Sequence, residues 1–230
     1  MPRFDQHEAF VKTGYGRIMT ELYYIDLTDL QFDELFKRNE GRLSETRKEK
    51  IFRYKFDKDR LLSLGAGILL DEALREFGLK EKDIRIELGE NGKPYLVDDP
   101  SIHYNISHSE KVAILAISSD KVGCDIQYYK DFDIKIAERF FTPEEYKYIS
   151  RNNSDSMRNL AFGKIWTLKE SYVKMVGKGL SLGLDTFNVL TNEGITEEAY
   201  FREYYQIPDY AVAVCSCLGD FNLSAIEVLV

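Results

Sequence analysis

Hydrophobic and polar positions along the chain repeat with two different periods, which together predict a mixture of helices and strands. Apolar residues recur every three to four positions in several segments, and this period predicts helices over 29–39, 60–78, 134–140, 143–151 and 157–176. The charged stretch 44–60 is interpreted as a further helix. Shorter apolar runs predict strands at 18–27, in two parts of 83–97, and at 112–118, 122–129, 186–192, 199–207 and 210–218.

Turn and capping residues divide these elements. Asn91-Gly92 predicts a tight turn between the two strands of 83–97, and Ser119-Asp120-Lys121 predicts a hairpin between strands 112–118 and 122–129. Thr142 followed by Pro143 is typical of a helix start, and Gly78 is typical of a helix end.

Each half of the chain combines helices with a small sheet, so the pattern predicts a two-lobed α+β protein. We expect a loose tail over 1–17, an N-terminal lobe over 18–121 and a C-terminal lobe over 122–230.

Composition places the protein among soluble globular chains and argues against a nucleic-acid coat. The 230 residues are 44% hydrophobic and carry a net charge of −8, whereas proteins that cover nucleic acid are usually basic. Three cysteines, no leader and only short apolar runs predict a reduced cytoplasmic protein without a membrane span. The Cys215-x-Cys217 pair fits no zinc spacing, so we interpret it as small apolar side chains on a buried strand.

Positive charge is concentrated in one segment. Residues 37–60 hold ten Lys or Arg and five Asp or Glu, a local charge of +5 in an acidic chain. This segment is either a local anion site or an ordinary solvated helix with alternating charges, and the sequence favours neither.

The strand "VGCDIQ" (122–127) carries the first candidate chemistry. Side chains alternate along a strand, so Val122, Cys124 and Ile126 share one face. Asp125 and Gln127 then share the other, and two oxygen-bearing side chains on one face suit Mg²⁺. An edge strand with one face exposed to solvent explains the same pattern without a metal.

The helix ending in "KESYVKMVGKGL" (169–180) carries the second group of candidate functional residues. Glu170 and Lys174 are spaced as an ordinary surface ion pair. Lys169 and the Gly177-Lys178-Gly179 turn also permit a phosphate-binding end, because glycines let backbone N–H groups approach a ligand.

Ser107 and His108 are adjacent, so their side chains diverge on an extended segment, and no orienting acid completes a hydrolase triad. His108 is then either an anion ligand or a structural histidine.

Together, "NGKPYLVDDPSIHYNISHSE", "VGCDIQ", "RFFTPEEY" and "IWTLKESYVKMVGKGLSLGLDTF" resemble the 4'-phosphopantetheinyl transferases of the larger, surfactin-synthetase-activating type (Sfp-like). The resemblance runs from about Leu43 to the C-terminus. It implies two similar lobes related by a pseudo-two-fold axis, with coenzyme A (CoA) between them. It also implies Mg²⁺-dependent transfer of the phosphopantetheine arm of CoA to a serine of an apo acyl or peptidyl carrier protein of fatty-acid, polyketide or peptide synthesis.

The resemblance further implies roles for single residues. Asp125, Glu170 and, more weakly, Gln127 would hold Mg²⁺, and the best-known members carry Glu where this chain has Gln127. Glu170 would also be the candidate base, and Lys174 would contact the transferring phosphate. The remaining CoA contacts would come from Gly92, Lys93, Pro94, Ser107, His108, Lys169 and Arg60.

The partners expected from this resemblance are CoA and a carrier protein docking near Phe140 or Phe141, with no nucleic acid or membrane, and the chain is expected to be a monomer. The alternative is a CoA-binding regulatory or structural partner that no longer transfers, to which only Gln127 points. An acyl-CoA acyltransferase is a third interpretation, for which the sequence offers no acyl-accepting arrangement.

Overall fold

A long buried helix, α3 (Asp57–Arg75), packs against one face of a four-stranded sheet in the N-terminal half. A computed structural model describes residues 19–130 and 132–230, and the tail predicted for 1–17 lies outside these ranges. The strand order of the first sheet is β4-β5-β1-β9, comprising β1 (Glu21–Asp26), β4 (His103–Ser109), β5 (Val112–Ser118) and β9 (Ile226–Glu227). Helices α1 (Phe32–Asn39) and α2 (Glu45–Arg53) lie beside α3, and a separate hairpin joins β2 (Ile86–Leu88) to β3 (Pro94–Leu96).

The C-terminal half contains a three-stranded sheet in the order β6-β8-β7, and helix α6 packs on it. Its elements are β6 (Val122–Tyr128), α4 (Ile134–Phe140), α5 (Pro143–Ser150), α6 (Asp155–Val176), β7 (Tyr200–Tyr204) and β8 (Tyr210–Ser216). Two sheets with helices beside them confirm a mixed α and β protein. No helix within the described ranges is both long and apolar enough to cross a bilayer.

The two sheets share an apolar core. Val122, Cys124 and Ile126 of β6 pack with Leu22 and Ile114 of the first sheet, so the predicted inner face of β6 is confirmed. Asp125 and Gly123 therefore face the opposite way, towards α6. At the edge of this core, the buried Thr20 hydroxyl bonds Ser118 and Ser216, which joins the two sheets.

Three predicted elements differ from the structure. The hairpin across 119–121 is wrong, because β5 pairs with β1 and β4 while β6 pairs with β8, so the chain crosses there between sheets. The helix predicted over 44–60 is two helices that meet at 54–56. The strand predicted over 186–192 is a series of turns in which the Asn188 side chain accepts backbone hydrogen bonds.

Candidate active site

Close contact between β6 and α6 is possible because residue 123 is glycine. A β-carbon at Gly123 would lie 2.1 Å from the Ser171 carbonyl oxygen and 2.3 Å from the Met175 backbone nitrogen. The backbone of α6 therefore rests on the strand at this point. This contact brings Glu170 and Lys174 beside Asp125, two residues further along β6.

Asp125 is the centre of a buried polar group. Its Oδ1 accepts hydrogen bonds from the Ser107 hydroxyl at 2.8 Å and from the Lys174 ammonium at 2.5 Å, and Lys174 also lies 3.0 Å from Ser107 Oγ. Burial alone would lower the pKa of Lys174, but the Asp125 carboxylate and other neighbours outweigh it and raise that pKa. Lys174 is thus held as a cation between the two halves of the protein.

The second oxygen of Asp125, Oδ2, differs from the first. Oδ2 is buried, and no hydrogen-bond donor among the described residues reaches it. A buried carboxylate oxygen without a donor is costly, so this atom is suited to a cation.

Glu170 adds a second carboxylate close to Asp125. Burial, followed by the negative charge of Asp125, raises the pKa of Glu170. Lys174 forms its ion pair with Asp125, so the surface pair that the Glu170–Lys174 spacing suggested is not the arrangement seen.

Gln127 lies on the same strand face as Asp125, and its amide nitrogen donates to the Tyr128 carbonyl oxygen at 3.3 Å. Within the part of the chain described, no three His, Cys, Asp or Glu side chains converge as a metal group. A metal here would therefore depend on two carboxylates and an amide.

His108 lies on the other face of β4 from Ser107, as the adjacency of the two residues predicted. Partial loss of solvent, and then the Lys174 ammonium, lower the pKa of His108. Asp59 and Lys50 are also among the charges that act on it. His108 therefore faces the basic α2 and the start of α3.

Lys93 joins the two halves of the protein. Its ammonium donates to the Val122 carbonyl at 2.9 Å and to the Met175 carbonyl at 3.1 Å, and burial lowers its pKa to about 8. Lys93 and Pro94 line a cleft of about 480 Å³ with Met175 and Gly177. Gly92 forms the adjoining turn with φ 78°, and Gly177 ends α6 in the left-handed conformation with φ 77°.

Sequence comparisons identify the family. Residues 15–120 match the N-terminal part of 4'-phosphopantetheinyl transferases, and residues 121–215 match the 4'-phosphopantetheinyl transferase superfamily. The 4'-phosphopantetheinyl transferase ffp of Bacillus subtilis is 36% identical, over 78% of this chain and 84% of that protein. The chain belongs to the 4'-phosphopantetheinyl transferase superfamily. The resemblance inferred from the four motifs is confirmed.

Other relatives of this transferase cover similar lengths. The 4'-phosphopantetheinyl transferase gsp of Aneurinibacillus migulanus is 32% identical, over 89% of this chain and 87% of that protein. A crystal structure of a holo-(acyl-carrier-protein) synthase from Bacillus anthracis in complex with CoA (3',5'-ADP) has a TM-score of 0.33 and 19% identity, and covers 44% of this chain and 95% of that chain. That structural similarity is weak, so the family assignment rests on sequence.

Lys169 does not face the site of this transferase. Its side chain is fully buried and pairs with the equally buried Glu145 at 2.8 Å. Its ammonium also donates to the carbonyl oxygens of Leu184 and Phe187, at 2.7 and 2.5 Å. The role predicted for Lys169 at a CoA phosphate does not fit this position, because every hydrogen of the ammonium is already engaged on the far side of α6.

We expect Lys169→Met to lower the free energy of unfolding by about 3–5 kcal/mol, because it leaves the Glu145 charge buried without its cation. Lys164→Met on the same helix removes a partly exposed pair with Glu203 at 3.4 Å and should cost less than about 1 kcal/mol. Urea unfolding of both variants measures the difference. Equal costs would show that the Lys169 pair is no more important than a surface pair.

The contacts of Arg60 also do not match its predicted role at CoA. Its guanidinium donates to the Tyr54 carbonyl oxygen at 2.9 Å and to Asp57 at 3.1 Å, and both of these hydrogen bonds are local. Other cations of the basic segment are similarly engaged, with Arg42 on Asp71 and Arg47 on Glu81. The charge excess of residues 37–60 is therefore partly neutralised by acidic residues elsewhere in the fold, which leaves fewer cations for an anion site.

Sequence reasoning missed Ser63. Its hydroxyl on α3 is buried and has no hydrogen-bond partner among the described residues. Ser63 follows Asp59 by four positions, so the two residues share a face of α3. The available signal in the sequence was the Ser63 hydroxyl, four residues after the charged Asp59 in a mainly apolar helix.

Proposed function

We propose that the protein transfers the 4'-phosphopantetheine arm of CoA to a serine hydroxyl of an apo carrier protein and releases adenosine 3',5'-bisphosphate. The observation that carries the proposal is the unpartnered Oδ2 of Asp125, buried next to Glu170 and Lys174. A donor-free carboxylate oxygen beside a fixed ammonium is suited to a metal–phosphate pair.

The residues present fit Mg²⁺. Asp125 and Glu170 would hold the ion with their carboxylates, and Gln127 would contribute its amide oxygen, directly or through water. Mg²⁺ prefers such oxygen ligands and retains several waters. When bound, it would neutralise charge on the pyrophosphate of CoA.

Lys174 supports the β-phosphate of CoA in this proposal. Its ammonium already lies between Ser107 and Asp125, so a phosphate oxygen entering there would meet a cation held in place by two partly buried hydrogen bonds. The ion pair fixes Lys174 before the substrate binds, which reduces reorganisation during the reaction.

The remainder of CoA would follow the two walls of the cleft. His108, with Lys50, would bind the phosphate at the ribose 3' position, whereas Ser107 lies beside Lys174 at the pyrophosphate end. Lys93 and Pro94 would line the adenine and ribose end. This placement is consistent with two similar lobes related by a pseudo-two-fold axis, with CoA between them.

The reaction is an in-line displacement at the β-phosphorus of CoA. The serine oxygen of the carrier forms a bond to this phosphorus, and the bond from phosphorus to the leaving adenosine 3',5'-bisphosphate breaks. Glu170, directly or through water, accepts the serine proton. Because its pKa is raised, Glu170 binds a proton more strongly than an ordinary carboxylate does, which suits a general base.

The carrier would dock near the end of α4. Phe141 is buried, but Phe140 is 43% exposed and the Arg139 guanidinium lies 5.1 Å from the centre of its ring. The enzyme carries a net charge of −8, so docking of an acidic carrier requires a local patch that does not repel it. An exposed aromatic ring beside a cation is such a patch.

Intact-mass measurement of an apo carrier after incubation with the protein, CoA and Mg²⁺ tests the function. We expect a gain of one phosphopantetheine group that disappears when the metal is chelated. The panel should include fatty-acid, polyketide and peptidyl carriers. No gain on any of them, with CoA binding demonstrated by calorimetry, would favour the non-catalytic CoA-binding alternative suggested by Gln127.

Gln127→Glu should retain or increase apparent Mg²⁺ affinity. A third carboxylate would replace a neutral amide, and carboxylates are the stronger ligands for this ion. Titrating transfer activity with Mg²⁺ in both proteins measures the change. A clear loss of affinity would contradict the placement of Gln127 at the metal.

Apparent Mg²⁺ affinity should fall as pH decreases, and the fall should begin above the ordinary glutamate pKa of 4.5. Protons and metal compete for Glu170, whose raised pKa moves this competition to higher pH, with a limiting slope of about tenfold per pH unit. Calorimetric Mg²⁺ titrations in the presence of CoA at several pH values measure the slope. The slope should flatten in Glu170→Gln, and an unchanged slope would exclude Glu170 as the titrating ligand.

A further inference from the structure

Three sulfur atoms meet at the C-terminal end of α6, outside the site described above. Cys215 and Cys217 are two positions apart at the end of β8, so their side chains lie on the same face, towards α6. The Cys215 thiol donates to Met175 Sδ at 3.5 Å and the Cys217 thiol donates to the same atom at 3.8 Å. Cys215 and Met175 are buried, whereas Cys217 is partly exposed.

The two thiol-to-thioether distances are close to those of a three-sulfur metal site. With metal–sulfur bonds of about 2.3 Å, three ligands in a trigonal plane are about 4.0 Å apart. Met175 Sδ therefore needs to move only a few tenths of an ångström from each thiol. Both thiols donate to the same thioether, so Met175 Sδ is the atom that brings the two cysteines into one cluster.

The charge around the cluster also suits a monovalent ion. Two thiolates and one such ion carry a net charge of −1, and the Lys93 ammonium is adjacent, because it donates to the Met175 carbonyl oxygen. Lys93 is in electrostatic contact with both Cys215 and Cys217. Burial raises the pKa of both thiols, so without an ion they stay protonated and act as apolar side chains.

We propose that Cys215, Cys217 and Met175 form a binding site for a soft monovalent metal ion such as Cu(I). Two thiolates and a thioether are soft ligands, which select Cu(I) over the hard Mg²⁺. On binding, both thiols release their protons to solvent and the oxidation state of the ion does not change. Met175 lines the cleft beside Lys93, and Cys217 is partly exposed, so the ion has a route from solvent.

Anaerobic titration of Cu(I) in competition with a chromophoric chelator such as bicinchoninate tests the site. The natural protein should bind one equivalent. Changes to residues around a metal's ligands typically cost about 10–100-fold in affinity, so loss of a ligand in Cys217→Ser should cost at least about 100-fold. Met175→Leu, which conserves volume, should cost at least about tenfold.

Cys124→Ser is the matched control, because Cys124 is buried on β6 and its thiol donates to the Asn105 carbonyl oxygen. This variant should bind Cu(I) as the natural protein does. Unchanged affinity in Cys217→Ser or Met175→Leu, or an equal loss in Cys124→Ser, would overturn the site.

A second measurement on the natural protein avoids the question of whether variants fold. One equivalent of Cu(I) should protect Cys217 from alkylation, as followed by peptide mass spectrometry. Alkylation at the same rate with and without the ion would also overturn the proposal.

Discussion

Asp125→Asn is expected to lower the kcat/KM of phosphopantetheine transfer by at least about 10³-fold. Removal of one preorganised charge-stabilising group from an active site typically costs about 10²–10³-fold, and Asp125 is proposed both to bind the metal and to fix Lys174. Asparagine keeps the shape of the side chain, and its oxygen can still accept from Ser107. The carboxylate charge and the donor-free Oδ2 are what the substitution removes. Intact-mass time courses on an apo carrier measure the rate.

Asp209→Asn provides the matched control. Asp209 also pairs with a lysine, Lys130, at 2.5 Å, but both side chains are about half exposed. Residue 209 has φ 67°, which asparagine tolerates, so the substitution should leave the fold and activity unchanged. Thermal unfolding should show both variants folded. Retention of transfer by folded Asp125→Asn would exclude Asp125 as a metal ligand.

The face of β6 was predictable because strand alternation is local. Val122, Cys124 and Ile126 follow the period of two, and the apolar core confirms it. The pairing of that strand was not predictable from the same pattern. Residues 119–121 look like a hairpin turn, yet both flanking strands are buried and each finds its partners in a different sheet. Strand pairing depends on contacts distant in sequence, which a short window cannot contain.

The error at Lys169 has a different and local cause. Its spacing from Ile165 (i−4) and Tyr172 (i+3) places it beside the apolar stripe of α6, whereas Glu170 and Lys174 lie about 100° and about 140° away around the helix. The motif placed Lys169 beside Glu170 in sequence, but the helical period places the two side chains on different faces. The helical period is therefore compatible with a buried lysine, which the motif-based assignment did not take into account. Its partner, Glu145, lies on another helix and could not be identified locally.

Gly123→Ala is expected to destabilise the protein by at least about 3 kcal/mol and to abolish transfer. Overpacking a core costs about 1–3 kcal/mol when side chains can adjust, and more when they cannot. Here the added β-carbon would lie 2.1 Å from the Ser171 carbonyl oxygen and 2.3 Å from the Met175 nitrogen, and both atoms belong to the backbone of α6. The helix would have to move away from β6, separating Glu170 and Lys174 from Asp125.

Gly41→Ala is the control for this prediction, because a β-carbon at Gly41 meets no atom within 4 Å. It should change the free energy of unfolding by less than about 1 kcal/mol, since any effect comes from the unfolded chain. Urea unfolding gives the stability of both variants. Ligand binding gives a further readout, because it depends on the position of Lys174 beside Asp125. If α6 moves, a folded Gly123→Ala protein should bind Mg²⁺ and CoA weakly even at temperatures well below its unfolding transition. A variant that is as stable as Gly41→Ala would show that α6 has room to adjust, and that the position of this helix does not depend on Gly123.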